Sequence, residues 1–383
     1  MKDFAYVLIT PYSLHKSRTG AILARLLSGT SLDLCCVEMF APSNEMIDEY
    51  IESIHKGSLS HHNKELVISY VDRCLRPNTL DTISNRCMLL VFKGKDATNV
   101  IRRVVGHVTH KPKGDTVRGA YGDYIIHGDS IIYFEPAVLC ASDENEETEQ
   151  LKIFQKYSDT DGGVITSALN AYTKERDDYQ ITLVMLKPDM FKEKSSRPGN
   201  IIDIFSKTGL YIVGSKLVNF SIAQANEFYG PLKEIFKTKL EKKILKFINE
   251  LLLSKLPYKL EDQEIKKLID IFREKNAEFE FNQIVEYITG KNPKSISESE
   301  YLKPGEGKCL VLLYYGINAI SKIRDMLGAT NPMEAKGGTV RSEFGQNILK
   351  NGAHGSDSPE NAQRERKIVG LVGNEPSELK NMF

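Results

Sequence analysis

Tryptophan is absent from this chain of 383 residues, and cysteine is sparse at 6. Cys35, Cys36, Cys74, Cys87, Cys140 and Cys309 show no metal-ligand spacing, and the vicinal pair Cys35-Cys36 is a poor disulfide candidate, so reduced thiols are expected. His61-His62 lies near His55 without acidic or thiol ligands beside it, which reads as a surface loop and not a metal site. Net charge is missing too. Lys+Arg and Asp+Glu are equal at 51 each, which removes any general pull toward nucleic acid. No apolar run approaches membrane-spanning length, and Met1-Lys2-Asp3-Phe4 leads straight into an apolar segment, so neither a membrane anchor nor a signal peptide is expected. A cytoplasmic protein with room for two domains and an insertion is the expectation.

What is present is concentrated near the C-terminal end. Asn351-Gly352-Ala353-His354-Gly355-Ser356-Asp357-Ser358 sets a histidine among small polar residues, just before Ser358-Pro359, a helix-start signal with proline at the first helical position. The positive end of a helix dipole welcomes phosphate and disfavours imidazolium, which keeps such a ring neutral and nucleophilic near pH 7. Upstream, Arg324 and Arg341 offer planar forks for phosphate oxygens, and Thr330 adds a hydroxyl. Gly337-Gly338 forms a tight turn that would let the backbone and Thr339 approach an anion. Ile181 to Leu186 reads as a buried strand whose end delivers Lys187 as a point charge. Singly, each cation is an ordinary surface charge. Together they describe a triphosphate site with a nucleophile.

These segments carry a resemblance. Residues from about 179 to 383 resemble a nucleoside diphosphate kinase domain through Leu186-Lys187-Pro188-Asp189, Met326 to Pro332, Gly338-Thr339-Val340-Arg341 with Phe344, and Asn351 to Ser358. The interval of 13 residues from Arg341 to His354 is similar to that of the family, and Asn374 to Leu379 resembles its closing segment. The resemblance implies ping-pong transfer of a γ-phosphate from a nucleoside triphosphate to a diphosphate through phospho-His354. By the same resemblance Lys187, Arg324, Thr330 and Arg341 meet the phosphates, with Mg²⁺ held by the nucleotide and not directly by the protein. Asn351 then contacts the sugar hydroxyl, Glu365 orients the imidazole with support from Ser356, and Tyr229 lies near a phosphate or on a helix surface. In the base-stacking region Ile284 takes the apolar partner's place, but the stacking position falls on Glu280, with Phe279 or Phe281 as substitutes.

Between Tyr229 and Phe281 the chain carries about two extra helices. Phe236, Leu240, Ile244, Phe247, Ile248, Leu251 and Leu252 recur at helical spacing, and after Pro257 so do Leu260, Ile265, Leu268, Ile269 and Phe272. The first carries Lys233, Lys237, Lys239, Lys242, Lys243 and Lys246, read as the solvated face of a helical hairpin that serves as a lid or an assembly contact.

The first half repeats the second. Tyr6 to Tyr12 echoes Leu183 to Asp189, Met88 to Gly94 echoes Leu310 to Gly316, and Asp115 to Gly122 echoes Gly338 to Gly345. His127 follows Arg118 too closely to be a nucleophile and sits in an apolar run with a Gly-Asp turn, which predicts a β-hairpin over Tyr124 to Phe134. Aligning Ala137 to Asp143 with the histidine segment places Cys140 at the position of His354 and Leu151 at that of Glu365. Thr10 replaces the lysine, while Arg118 and Arg102 survive, so this copy is expected to be inactive.

The resemblance therefore implies an α+β sandwich of two ferredoxin-like domains, each an antiparallel four-stranded sheet covered by helices on one side. The boundaries are 1–155 for a diverged domain, 156–178 for a linker with a short helix at Val164 to Tyr172, and 179–383 for the catalytic domain with its insertion at about 231–278. Partners implied are nucleoside di- and triphosphates, an internal pseudo-dimer and a further homo-oligomer, with neither membrane nor specific nucleic acid. The alternative is a nucleotide-binding regulatory scaffold without turnover.

Overall fold

The computed structural model describes residues 3–77, 85–109, 114–128, 130–159, 178–248, 250, 255–258, 260–373 and 376–382. Most of the expected linker, including its short helix, lies outside them. Residues 1–218 with 310–383 form one compact unit and 219–309 a second.

Among the described residues the strands are, in order, β1 (Phe4–Ile9), β2 (Asp33–Phe40), β3 (Cys87–Lys93), β4 (Asp123–His127), β5 (Ser130–Glu135), β6 (Val138–Leu139), β7 (Tyr179–Leu186), β8 (Tyr211–Asn219), β9 (Lys308–Ile317) and β10 (Ala353–Gly355). The first sheet has the order β2-β3-β1-β6 and the second β8-β9-β7-β10, so each strand of one four-stranded sheet has its counterpart in the other. This order, with antiparallel pairing, is the ferredoxin-like arrangement twice over. The central strands are buried along their length, which explains their continuous apolar runs. Backbone details repeat as well: Asp96 and Asn318 are both left-handed, at φ 57° and 54°, immediately before matching helices Ala97–Val105 and Ala319–Leu327. The Gly-Asp run folds into the expected hairpin, β4 against β5.

Two local expectations are corrected. His61 and His62 are not in a loop. They open the helix His61–Cys74, whose first turn is capped by Ser60 accepting from the Asn63 amide. The first sheet is also covered on both faces, because side chains alternate along a strand. Ala5, Val7 and Ile9 enter one apolar cluster while Tyr6 and Leu8 enter another, roofed by Met46, Tyr50, Tyr70 and Phe154.

The first of those clusters is common to both copies. Helix Thr19–Gly29 of the first packs on helix Arg197–Ser206 of the second, and glycines set the distance. A Cβ on Gly20 would lie 2.5 Å from Gly199 O and Asp203 N. A Cβ on Gly199 would strike Gly20 O and Ala24 N in turn. Each glycine thus meets the other and the residue four beyond it, the reciprocal pattern of a two-fold interface. A second tie comes from the C-terminal segment. Ser377 donates to both oxygens of Glu38 at 2.7 and 2.8 Å, and Leu379 is fully buried in the apolar cluster of the first copy.

Residues 219–309 contain helices Ile222–Tyr229, Leu232–Phe247 and Asp262–Thr289. The last is a single 28-residue helix, continuous across residue 278. It begins at a capping box between Glu261 and Glu264 and ends at Gly290, whose φ of 73° suits glycine, and no Gly or Pro interrupts it. Ile244, Ile248 and Ile269 close the hairpin core, and Lys237 bridges Glu234 and Glu274 at 3.1 Å each. Of the lysine stripe, Lys239, Lys242 and Lys243 have side chains outside the described residues. No described helix is long and apolar enough to cross a membrane.

The glycine contact yields a prediction. Gly199→Leu should destabilise the protein by about 3 kcal/mol or more, beyond the usual overpacking cost because backbone atoms are struck. Gly114→Ala, where nothing lies within 4 Å, should be near neutral. Urea-denaturation midpoints compare the two, and an equal effect would remove the helix contact as a constraint.

Candidate active site

The histidine segment is not a loop. Residues 353–355 add a short edge strand to β7, pairing His354 with Met185, because Gly352 takes a left-handed φ of 82° that turns the chain into register. Ser356 N–H continues the pairing to Leu183 O at 3.0 Å. Ser358 then caps helix Pro359–Val369 as expected, accepting from Asn361 N–H at 3.1 Å. Two turns into this helix stands Glu365, buried, with Oε2 3.0 Å from His354 Nε2. Ser356 Oγ donates to the same oxygen at 2.6 Å, and Arg364 lies 3.6 Å from Oε1. Burial pushes the Glu365 carboxyl up, but the charge and hydrogen bond of His354, the Ser356 hydroxyl and Arg364 outweigh it and hold the group below its ordinary 4.5. With the Nε2 proton given to that carboxylate, Nδ1 is the nitrogen that carries the lone pair.

The cations are placed by backbone contacts. Lys187, at the end of β7, donates to Asn351 Oδ1 at 2.7 Å and to Leu349 O at 3.1 Å, while Asn351 Nδ2 donates to Thr330 O at 3.1 Å. Lys187, Asn351 and Thr330 are thereby one linked group. Arg341 Nη1 donates to Gly328 O at 2.9 Å and Nη2 to Ala353 O at 3.5 Å, the carbonyl just before His354. Arg324 is exposed in the last turn of Ala319–Leu327, one turn before Gly328. The Gly337-Gly338 turn closes on itself: Gly338 N–H donates to Glu343 and Thr339 Oγ1 to Lys336 O, so its hydroxyl is committed inside the turn instead of facing an anion.

The remaining two candidates belong to residues 219–309. Tyr229 is not a surface tyrosine. It is buried against Phe228, ring centroids 5.0 Å apart. Ile284 is half-buried on the long helix. Of the aromatic substitutes nearby, Phe281 is buried with Lys233 Nζ 4.2 Å from its ring centre, whereas Phe279 is exposed. Arg364 is a site residue that the sequence reading missed, since nothing distinguishes it within a heavily charged helix.

Backbone hydrogen bonds also align the two copies, and they correct the sequence alignment by one residue. Thr10 N–H donates to Ala137 O as Lys187 N–H does to Gly352 O, and Arg118 reaches Gly106 O and Val138 O as Arg341 reaches Gly328 O and Ala353 O. Leu139, not Cys140, therefore occupies the place of His354. Counting from the helix caps Asp143 and Ser358, Gln150 rather than Leu151 occupies that of Glu365. Gln150 takes part in a different network, accepting from Tyr6 Oη at 2.6 Å and donating to Ser53 and Glu146 at 3.0 and 2.8 Å. The Tyr6 and Tyr50 hydroxyls lie 2.6 Å apart.

Comparison with known proteins matches the second copy to a family. A family model described as nucleoside diphosphate kinase matches residues 180–250 and 239–369, its two stretches meeting inside the helical hairpin. A nucleoside diphosphate kinase of Nitratiruptor sp. is 30% identical over 184 residues, 48% of this chain and 90% of that protein. That of Campylobacter curvus is 31% identical over 186 residues, 49% and 91% respectively. A crystal structure of the Encephalitozoon cuniculi enzyme aligns with 52% of this chain at 25% identity, with a TM-score of 0.32. The chain belongs to the nucleoside diphosphate kinase family. With its sheet order repeated, it is a tandem member whose matched residues lie in the second copy.

Removing the Glu365 charge should have a pH signature. A carboxyl held below 4.5 contributes stability that is full above that value and is lost as pH falls through its folded value. Glu365→Gln should cost about 1.5–3 kcal/mol near neutrality, the range for hydrogen bonds to charged groups. The gap to the unmodified protein should close below pH 4.5. Denaturation midpoints from pH 7 to the acid limit would show it, and a constant gap would mean that Glu365 is not held as the anion.

Proposed function

We propose that the second copy is an active nucleoside diphosphate kinase working through phospho-His354. The observation that carries this reading is the chain Ser356–Glu365–His354, which fixes the imidazole tautomer with Nδ1 as the nucleophilic nitrogen. In the first half-reaction Nδ1 attacks the γ-phosphorus in line, the bond to the β-bridging oxygen breaks, and the nucleoside diphosphate leaves. In the second, the terminal oxygen of another diphosphate attacks the phosphohistidine and restores the ring. Glu365 balances the positive charge on the ring in both directions.

Lys187, Arg324 and Arg341 would hold the phosphate oxygens, with the Thr330 hydroxyl beside them. Asn351 orients the Lys187 ammonium and would meet the sugar. Among the described residues no cluster of three or more ligating side chains could cage a metal ion. This donor set of cations suits a magnesium ion carried on the nucleotide phosphates. When bound, the ion would neutralise phosphate charge. Tyr229 and Ile284 are assigned to phosphate and base by family position alone.

Brief incubation with γ-labelled ATP and Mg²⁺, without acceptor, tests this reading. Acid-labile, alkali-stable label should map to His354, be discharged by GDP, and be absent from His354→Gln. Lys187→Ala should lower kcat by about 10²–10³, as loss of one charge-stabilising donor does elsewhere. Nucleotide binding without label would instead mark a regulatory scaffold.

A further inference from the structure

The first copy retains an open cavity of about 510 Å³ where its counterpart of the active site lies. The nucleophile, the carboxylate that orients it and the phosphate lysine have all been replaced there. Leu139 stands for His354, Gln150 for Glu365 and Thr10 for Lys187. By the same register Val108 stands for Thr330 and Pro136 for Asn351, which removes the lysine-sugar bridge. The guanidinium groups remain. Arg102 and Arg118 correspond to Arg324 and Arg341, and Arg103 also lines the cavity. Arg118 is oriented by donation to Gly106 O at 2.8 Å and Val138 O at 3.3 Å, both neutral acceptors. Neither Arg102 nor Arg103 is paired with an acid among the described residues. Two carboxylates line the cavity: Glu146, which Ser142 and Gln150 already engage, and Asp115, which is exposed to solvent.

Part of the lining is apolar, formed by Ile54, Leu59, Val67, Val108 and Leu139. Guanidinium groups and hydrocarbon in the lining of one cavity suit an occupant with an anionic head and an apolar body. We propose that this cavity binds an organic mono- or diphosphate with an apolar body and does not transfer its phosphate. Arg102 and Arg118 hold the phosphate, assisted by Arg103. The apolar lining takes the body of the ligand, in place of the sugar contact that Pro136 cannot make. Loss of the lysine lowers the positive charge and favours one or two phosphates over three.

Cys140 lines the cavity, its sulfur 4.0 Å from Arg118 Nη2, and serves as a local reporter. Phenyl phosphate at ten times its Kd should slow maleimide modification of the Cys140 peptide about tenfold, read by mass spectrometry. Phenol and inorganic phosphate should protect far less at the same concentration. Arg102→Gln, an exposed position with no hydrogen bond to lose, should abolish protection, as should Arg118→Gln. His354→Gln should leave it intact, so this result is independent of whether the second copy turns over. A thermal-shift titration of the unmodified protein against Arg102→Gln gives the same comparison without the thiol. Equal protection by inorganic phosphate, or protection and thermal shift indifferent to both arginine changes, would overturn the proposal.

Discussion

The short pairing of β10 with β7 is the constraint on which the site depends. It brings His354 next to Lys187, since both flank the same strand end, and it starts the helix that returns Glu365 to the ring. So short an edge strand has little stability of its own. Its position comes from what surrounds it. Gly352 turns the chain into register, Arg341 holds the Ala353 carbonyl, and Gly355 packs so closely that a side chain there would collide with Leu327 and crowd Ile323. Arg341, to which we assign a role in phosphate binding, thus also serves as a structural clamp, and the two roles cannot be varied separately.

The first copy keeps that frame and changes its contents. Arg118 makes the same backbone contacts as Arg341, and Ala137 accepts a positive φ of 61° where the second copy has glycine. A strained non-glycine residue at this turn keeps the same strand register in the copy that has leucine in place of His354. The polar residues that remain have joined a buried network of Tyr6, Tyr50, Gln150 and Glu146. Burial drives the Glu146 carboxyl above its ordinary value, against the hydrogen bonds from Ser142 and Gln150 that pull it down.

Much of this was legible in the sequence, and the exceptions have physical causes. The apolar strands, the Gly-Asp hairpin, the Ser358 cap and the repeated Thr-Val-Arg segments were readable because each rests on local chemistry. The slip from Leu139 to Cys140 arose in Ala-Val-Leu-Cys-Ala, where no residue marks a register and hydrogen bonds alone decide it. Counting back from the Asp143 cap would have given the right answer, since Leu139 and His354 each precede their caps by the same interval. The unbroken helix Asp262–Thr289 was divided because its family-like end and its inserted beginning were read separately, although no breaker stands between them. The second apolar face of the first sheet was missed because it is completed in part by Leu379, far away in the chain.

That last contact bears on the order of synthesis. Domains usually fold as they leave the ribosome, the N-terminal one first. Here the first copy waits for residues at the other end of the chain: Leu379 completes its apolar cluster and Ser377 caps the buried Glu38. During translation this half would expose an open apolar slot until the second copy has been made. The first copy is thus synthesised first but completed last, and any arrest that yields only the first half yields an unfinished core.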